Sequence, residues 1–337
     1  MSPRCIVIGA SAGGIEPLRA VISRLPSDLP APVFVVLHIP PFTASALPAI
    51  LSRAGPLPAL HPADGETTQP GHVYVAPPDH HLLIDDGRVA VKRGPKENRF
   101  RPSIDALFRS AAYIHGPGAI GVVLSGALDD GTSGLWSIKR LGGTTIVQQP
   151  QQAEFDSMPR SALEYVDIDH SPPSTEIGPL LGRLAREMPE AGDHGADLRP
   201  RMSAELQIAA EGGAFQKGIM DFGELTPFTC PECHGALVKL SEGALSRFRC
   251  HTGHAYSDSA LLEGVMASTG AMLWQVMRSL EEAVMLLDHM GHHLAEAGAP
   301  ERATTFFAKA RDIEHRSRMY RTDVLGHESL SGDNLAQ

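Results

Sequence analysis

Short apolar runs that end in glycine or proline alternate with helical patterns along residues 1–185. The segments CIVIGASAGG, APVFVVLHIPP, AIGVVLSGALDDG and GGTTIVQQ each contain an uninterrupted apolar stretch of strand length. Such runs are typical of parallel strands buried on both faces, and the helical patterns between them supply the covering layers. We therefore predict an α/β fold, doubly wound, with a mostly parallel sheet and helices on both faces.

A different pattern lies between these strands. Apolar and polar residues alternate through HVYVAPPDHHLLIDDGRVAVKR on either side of Asp86 and Gly87, and an Asp-Gly pair between alternating runs is typical of a β-hairpin. We expect this hairpin at an edge of the sheet. Residues 186–222 then lose apolar density and carry proline, glycine and charge, so we expect a linker there.

Three of the four cysteines fall in one short segment. Two residues separate Cys230 from Cys233, sixteen separate Cys233 from Cys250, and three separate Cys250 from His254. Three thiolates and an imidazole at this spacing are typical of a closed, structural zinc site, and free thiols are the alternative. We predict a zinc ribbon over residues 223–257. Two other histidines are alternative fourth ligands: His234 and His251.

Apolar residues recur every seven positions after the cysteine-rich segment. The recurring residues are Met266, Leu273, Leu280, Leu287 and Leu294, with Val276, Ala283 and Met290 between them. After the break EAGAPE a second apolar pattern begins. The spacing predicts a helical hairpin over residues 258–327, whose apolar seam either closes on itself or pairs with another subunit or protein. We expect residues 328–337 to form a flexible tail.

The composition narrows the class of protein. The chain has 337 residues, 42% of them hydrophobic, and a formal net charge of -10. It contains no run near the roughly 18 apolar residues of a membrane span, and MSPRCIVIGA lacks the features of a secretory leader. We therefore expect a cytoplasmic protein with neither membrane insertion nor a nucleic-acid partner. The basic segment 88–109 suits an acidic partner or is a solvated loop.

Three polar residues follow three of the predicted strands. Ser11 lies in GASAG, which matches G-x-S-x-G but lacks the central glycine of a dinucleotide fingerprint. His38 follows VFVVL, and Asp130 follows VVLSGAL. Because the carboxyl ends of parallel strands meet at one edge of a sheet, these side chains can form a nucleophile, a base and an orienting acid. Backbone N–H groups of the glycine-rich turn can hold an oxyanion.

Each of these roles has an alternative in the sequence. Ser11 can merely cap the helix that follows it. Rival residues for the base and the acid lie nearby in the same motifs: His80, His81 and Asp129.

Six motifs together resemble a known family: IGASAGGIEPLRAV, VVLHIPP, GHVYVAPPDHHL, NRFRPSIDALFRSAA, VVLSGALDDGTSGL and FDSMPRSAL. They resemble the catalytic domain of the chemotaxis protein-glutamate methylesterases, the CheB family, so we expect residues 1–185 to form such a domain. The resemblance implies that Ser11 is the nucleophile, His38 the base and Asp130 the residue that orients it. It further implies hydrolysis of glutamate methyl esters on chemoreceptors, deamidation of receptor glutamines as a second activity, and catalysis without a cofactor.

The same resemblance indicates where the substrate binds. The family usually carries threonine where this chain has Ala12, and a methionine that lines its site corresponds to Ala127. We expect substrate contacts at Ala12, Gly13, Arg99, Arg101 and Ala127, although the two arginines alternatively anchor their loop. The expected partners are cytoplasmic helices of methyl-accepting chemoreceptors. Because the first motif begins at residue 5, we expect no receiver domain ahead of it. The alternative function is a catalytically idle adaptor that binds a receptor or signalling protein.

Overall fold

The computed structural model describes residues 4–189, 192 and 194–327, with side chains as far as residue 321. Its internal contacts divide the chain into two compact units, Met1–Leu261 and Leu262–Gln337. Within the described ranges, no helix combines the length and the apolar character that crossing a bilayer requires.

A six-stranded parallel sheet forms the centre of the first unit. The first eight strands in chain order are β1 (Cys5–Ala10), β2 (Val33–Leu37), β3 (Ala59–Leu60), β4 (Val73–Val75), β5 (His81–Asp85), β6 (Arg88–Lys92), β7 (Ala119–Val123) and β8 (Thr144–Val147). Six of them make the main sheet in the order β3-β4-β2-β1-β7-β8, and every pairing in it is parallel. All residues of the central strand β1 are buried, as its uninterrupted apolar run requires.

Helices cover both faces of this sheet. The helices of the first unit are α1 (Ile15–Ile22), α2 (Leu47–Ala54), α3 (Ile104–His115), α4 (Thr132–Arg140), α5 (Ser157–Tyr165), α6 (Ser174–Leu184) and α7 (Arg199–Glu211). Alternate side chains of β1 point to opposite faces. Ile6 and Ile8 pack in a core with α1, α2 and α6, whereas Cys5 and Val7 pack in a second core with α3, α4 and α5. The prediction of a parallel sheet between two helical layers is confirmed.

The predicted hairpin forms, but in a different place. Strands β5 and β6 pair antiparallel as a separate two-stranded sheet, so the expectation that they extend an edge of the main sheet is wrong. Leu82 and Val89 enter the core on the α3 side, and the Ile84 N–H donates to Ser110 Oγ of α3 at 2.9 Å. Alternation specifies that one face of a hairpin is buried, but it does not specify which element buries it.

The segment 186–222, expected to be a linker, contains the helix α7. Met202 and Ile208 of this helix are buried, together with two charged side chains, Arg201 and Glu205. Because charged residues occupy part of the buried face, the segment has low apolar density although it is packed against the domain. That composition is what made the sequence pattern indicate a linker.

Four short antiparallel strands follow. They are β9 (Glu224–Thr229), β10 (Ala236–Glu242), β11 (Leu245–Cys250) and β12 (Ala255–Ser257), in the order β12-β11-β10-β9. The core of this small sheet (residues 224–257) contains Cys230, Leu237, Phe248, Cys250 and Tyr256. Strand β12 lies against the loop that precedes α3. There Ala255 accepts a hydrogen bond from Asn98 N–H at 2.8 Å and donates its own N–H to Lys96 O at 3.2 Å.

Two long helices end the described chain, α8 (Asp258–Glu296) and α9 (Pro300–His327). In the second unit they pack along a seam in which Met277 of α8 and Ala303 and Ala310 of α9 are buried. A Cβ at Gly291 would collide with the ring of Phe307, so this glycine permits the close approach of the two helices.

The helical hairpin uses the seven-residue repeat with one shift. The repeat from Leu273 to Leu294 is half-buried. Val276 and Met290, however, are 45% and 48% exposed, whereas Met277 is 4% exposed. The second row of the seam therefore begins one residue later than the sequence indicated, because Val276 and Met277 are both apolar and the pattern alone does not choose between them. The expected flexible tail, residues 328–337, lies outside the described residues.

Candidate active site

The three predicted site residues follow adjacent strands of the main sheet. Ser11 follows β1, His38 follows β2 and Asp130 lies in the loop after β7, and these three strands are neighbours. Main-chain hydrogen bonds continue past the strand ends, from Ser11 N–H to Ser125 O at 2.9 Å and from His38 N–H to Ala10 O at 3.2 Å. The structure thus brings the three side chains together at one edge of the sheet.

A continuous chain of hydrogen bonds joins them. His38 Nδ1 lies 3.0 Å from Ser11 Oγ, and His38 Nε2 lies 2.8 Å from Asp130 Oδ2. Because the carboxylate accepts the Nε2 proton, Nδ1 is the unprotonated acceptor that faces the serine hydroxyl. The side chains of His38 and Asp130 are only 4% and 2% exposed, and the Phe100 ring stacks on the imidazole with centroids 3.8 Å apart. The imidazole is therefore oriented from two directions.

Asp130 sits in a dense shell of donors. Its carboxylate accepts hydrogen bonds from Ile104 N–H at 2.7 Å, from Asn98 Nδ2 at 2.9 Å and from Ser103 Oγ at 3.1 Å. Burial alone would raise the pKa of Asp130, but the hydrogen bonds from His38, Ile104 and Asn98 outweigh it and lower the pKa below its usual value. Asp130 therefore stays ionised beside the imidazole.

A second buried carboxyl group lies behind the first. Asp105 accepts hydrogen bonds from Asn98 Nδ2 at 2.8 Å and from Gly134 N–H at 2.7 Å. Burial, followed by the charge of Asp130, raises the pKa of Asp105 well above its usual value. Sequence reasoning did not identify Asn98, and its only signal was a place inside the motif NRFRPSIDALFRSAA.

The rival residues have other partners. Asp129 accepts hydrogen bonds from Ser257 Oγ and Ser259 Oγ, both at 2.7 Å. His81 bonds Pro95 O through Nε2 at 2.8 Å and accepts from Ser103 N–H at 3.2 Å through Nδ1. His80 Nδ1 lies 2.9 Å from Pro78 O. Both histidines thus hold loop backbone.

The turn after Ser11 is shaped to present N–H groups. Gly13 has a φ of 64°, which favours glycine, and a Cβ there would lie 2.8 Å from Glu154 Oε2. Gly14 N–H donates to Ser11 O at 3.0 Å and closes the turn just before α1. Among the described residues, no backbone carbonyl accepts the N–H of Ala12 or Gly13. These two N–H groups are therefore available to an oxyanion formed at Ser11.

Ser11 and His38 open into a cleft of about 510 Å³. The cleft is lined by Ser11, Ala12, His38, Ile39, Pro40, Pro41, Asp79, Lys96, Arg99, Phe100 and Arg101. Three of the five expected substrate contacts, Ala12, Arg99 and Arg101, are in this lining. The other two are placed differently: Gly13 lies in the turn behind Ala12, and Ala127 is half-buried in the loop after β7.

The basic residues of the cleft differ in how firmly other groups of the protein hold them. Arg101 forms an ion pair with Asp79 at 2.6 Å and donates to Gly94 O at 2.6 Å, so it anchors its loop. Lys96 pairs with Glu232 of the small sheet at 3.0 Å, and both side chains are more than 30% exposed. Lys96 can therefore exchange this partner for an acidic group of a ligand at little cost.

The structure also brings together the four predicted metal ligands. One ligand atom from each of Cys230, Cys233, Cys250 and His254 lies within 4.8 Å of all the others. The sulfurs of Cys233 and Cys250 are 3.6 Å apart, close to the roughly 3.8 Å separation that two thiolates have on a tetrahedral zinc ion. His251 lies against Gly235 instead. Of the three candidate histidines, His254 is the one whose ring nitrogen lies with the three sulfurs.

Comparison with known proteins finds a matching family and similar proteins. The family described as CheB methylesterase matches residues 6–181. A protein of Leptospira interrogans, provisionally named protein-glutamate methylesterase/protein-glutamine glutaminase, is 38% identical over 185 residues, which are 55% of this chain and 96% of that protein. Protein-glutamate methylesterase/protein-glutamine glutaminase 3 of Anaeromyxobacter dehalogenans is 42% identical over 161 residues, and the match covers 47% of each chain.

A solved structure shows the same fold. The crystal structure of the Thermotoga maritima CheB methylesterase catalytic domain aligns with a TM-score of 0.52 and 35% sequence identity, covering 55% of this chain and 100% of that one. The similarity thus extends over the part of the chain that holds Ser11, His38 and Asp130. This chain belongs to the CheB methylesterase family.

Proposed function

We propose that this protein is a serine hydrolase that removes methyl groups from glutamate methyl esters of chemoreceptors, in chemotaxis-type signalling. The observation that carries the proposal is the unbroken hydrogen-bond chain from Ser11 through His38 to Asp130, in a member of the CheB methylesterase family.

The geometry assigns a role to each group. Ser11 Oγ attacks the ester carbonyl while His38 Nδ1 takes the hydroxyl proton, and Asp130 stabilises the resulting imidazolium. The N–H groups of Ala12 and Gly13 hold the oxyanion of the tetrahedral intermediate. When this intermediate collapses, methanol leaves with the proton from His38 and an acyl-enzyme remains. Water, deprotonated by His38, then releases the glutamate carboxylate and restores the serine hydroxyl.

The same acyl-enzyme accounts for a second activity. A glutamine side chain attacked at its carbonyl would lose ammonia instead of methanol and give the same glutamate product. We therefore include deamidation of receptor glutamines in the proposal. The relatives named above carry both activities in their names.

The cleft suits an acidic helical substrate. Lys96 and Arg99 line it and can attract the acidic segment that surrounds a methylated glutamate, while Arg101 holds the loop through Asp79. Ala12 lines the cleft next to Ser11, and its small side chain leaves room near the serine. The substrate partners that we propose are the cytoplasmic helices of methyl-accepting chemoreceptors, and the proposed location is the cytoplasm.

We assign the cysteine cluster to a structural zinc ion. Cys230, Cys233, Cys250 and His254 would fill all four positions of a tetrahedral site, since one ligand atom of each lies within 4.8 Å of the others, and such a closed site leaves no position for water or substrate. The ion would stabilise the small sheet as a zinc ribbon. Catalysis at Ser11 needs no cofactor.

The helical hairpin of the second unit is proposed to bind another helix. Several large apolar side chains of α8 are about half exposed or more: Met272, Trp274, Met285 and Leu286. Exposed apolar groups of this size are typical of interaction surfaces. Sedimentation velocity of the purified protein distinguishes self-association from a separate partner, because only self-association raises the mass with concentration.

The test of the catalytic proposal is methanol release from methylated receptor membranes. Ser11→Ala and His38→Ala should each lower turnover by roughly 10⁴-fold or more, and Asp130→Asn should leave a small residual activity. Ser23→Ala changes an exposed residue and His72→Ala a half-buried one, both outside the cleft, so these variants serve as controls and should retain wild-type rates. Wild-type turnover in either alanine variant of the triad would refute the assignment. A folded wild-type protein that releases no methanol would favour the adaptor function instead.

A further inference from the structure

One loop connects the small sheet to the active site. In this loop Asn98 is 4% exposed, and its Nδ2 group donates to two buried carboxyl groups, Asp130 at 2.9 Å and Asp105 at 2.8 Å. Its Oδ1 atom accepts the backbone N–H of Ser257 at 2.9 Å. Its own N–H donates to Ala255 O at 2.8 Å. A single side chain therefore bridges strand β12 and the triad aspartate.

The hydrogen bond from Ser257 determines which way this amide points. The ionised carboxylate of Asp130 accepts a proton from the Asn98 side chain, whereas the N–H of Ser257 donates one to it. A rotated amide would set its oxygen against the carboxylate of Asp130 and its NH₂ group against the N–H of Ser257. With the N–H of Ser257 in place, only the orientation that donates to Asp130 is satisfied.

The residues next to Asn98 connect the same loop to the small sheet and to the triad. Glu97 is 1% exposed and forms ion pairs with Arg249 of β11 at 2.6 Å and with Arg109 of α3 at 3.1 Å. Phe100, which stacks on His38, exchanges two backbone hydrogen bonds with Glu97. The loop thus carries contacts with the base and the acid of the site at one end and with the small sheet at the other.

We propose that Asn98 is a positioning residue for the hydrolase reaction and that strand β12 sets its orientation, so that docking of the small sheet supports the triad. The inference rests on the proposed function of Ser11, His38 and Asp130. Asn98 is not among the residues that line the cleft. It acts on the reaction through Asp130, which it holds in the position that receives the His38 proton.

The expected effects follow from the two hydrogen bonds. Loss of a donor to a buried carboxylate should lower kcat by about 10- to 100-fold. KM should not change, because Asn98 does not line the cleft. Loss of the neutral N–H that orients the amide should lower kcat by about 2- to 10-fold. The two losses should not multiply, because the second acts only through the first.

Four single variants and one double variant of the full-length protein test the proposal. Asn98→Gly removes the amide and suits the φ of 49° at this position, and Asn98→Asp keeps its size but replaces the donor with an acceptor. Ser257→Pro removes the N–H, and Tyr256 before it is in a strand, the conformation that precedes proline well. Ser257→Ala is the matched control, because both changes at 257 lose the hydroxyl and only proline loses the N–H. Asn98→Gly/Ser257→Pro completes the cycle.

Two readouts separate this inference from the proposed function. The first is kcat and KM for methanol release, and the second is the low-field ¹H resonance of the His38–Asp130 hydrogen bond, which needs no substrate. We expect both Asn98 variants and Ser257→Pro to lower kcat and to shift or broaden the resonance, Ser257→Ala to do neither, and the double variant to match Asn98→Gly.

Each outcome decides a separate point. An unchanged resonance and wild-type kcat in Asn98→Gly or Asn98→Asp would overturn the positioning role. Equal behaviour of folded Ser257→Pro and Ser257→Ala would overturn the role of β12. If circular dichroism shows that Ser257→Pro does not fold, Asn98→Asp still tests the donor at unchanged size. A shifted resonance in a protein that releases no methanol would support the coupling while refuting the methylesterase function.

Discussion

Replacement of Arg249 by methionine should destabilise the first unit by an amount that can be worked from its contacts. Arg249 has no exposed surface and donates to Glu97 at 2.6 Å, to Gly253 O at 2.9 Å and to Glu205 at 3.3 Å. It belongs to a buried cluster of ionic side chains between α3, α7 and the small sheet: Glu97, Arg109, Arg201, Glu205, Glu242, Arg247 and Arg249. Removal of one partner from a buried ion pair costs about 3–5 kcal/mol.

The charge balance of the cluster decides where in this range each variant falls. The cluster pairs four arginines with three glutamates, so Arg249→Met leaves equal numbers of both charges. Glu205→Gln instead leaves four arginines facing two carboxylates. We therefore expect about 3 kcal/mol for Arg249→Met and about 5 kcal/mol for Glu205→Gln. Arg19→Met is the control within the same unit, because Arg19 is 49% exposed in its pair with Glu16, and its loss should cost about 0.5 kcal/mol or less.

Urea unfolding followed by tryptophan fluorescence measures these differences. Trp136 lies 5.9 Å from the Arg201 guanidinium and reports on the cluster, and Trp274→Phe as the background removes the only other tryptophan. The loss of unfolding free energy should be smallest for Arg19→Met, larger for Arg249→Met and largest for Glu205→Gln. Equal losses for Arg249→Met and Arg19→Met would refute the reasoning, because burial would then make no difference to the value of the ion pair.

Three further predictions concern the metal, the pH dependence and the serine turn. Mass spectrometry of the purified protein should find about one zinc per chain. Cys250→Ser should lose this zinc, because metal binding and folding are coupled in such sites. Metal-free wild-type protein would contradict the assignment. Burial would raise the pKa of Glu97, but its arginine partners outweigh burial and lower it. The stability that this provides is present above about pH 4.3 and is lost as the pH falls toward the lowered pKa, so Glu97→Gln should show a weaker loss of stability in acid than wild type. Gly126→Ala should lower the free energy of unfolding by about 1–3 kcal/mol and should also lower turnover. The reason is that the new Cβ would collide with Met158 and lie 2.9 Å from the Ser11 Cβ. Wild-type kinetics in this variant would contradict the close packing.

The proximity of Ser11, His38 and Asp130 could be predicted because it depends only on where three strands end and on the order of those strands in the sheet. Each residue follows an apolar run, and such runs form adjacent parallel strands whose ends share one edge. The cysteine spacing is similarly local, and the four ligand atoms converge in the structure. In both cases short-range pattern and simple topology determine which side chains meet.

The support of Asp130 could not be predicted from the same pattern. Asn98 and Arg99 have φ values of 49° and 72°, which the letters NRF do not indicate, and the partner of the Asn98 side chain, Ser257, lies 159 positions away. Helix α7 was missed for a related reason. Its buried face includes Glu205, whose partners Arg247 and Arg249 lie on a distant strand, so hydrophobic periodicity gives little signal.

The buried ion pairs between α3, α7 and the small sheet have a physical consequence for the active site. A buried ionic cluster adds little net stability compared with an apolar one of the same volume, but its bonds have fixed directions and lengths, whereas apolar surfaces can slide by fractions of an ångström. Arg249 reaches Glu97 at 2.6 Å, and the next residue, Asn98, holds Asp130. A productive triad tolerates errors of only about 0.5 Å. We infer that the charged cluster is suited to fixing the register of β12 against the loop, so that the N–H of Ser257 meets the amide that orients the triad aspartate.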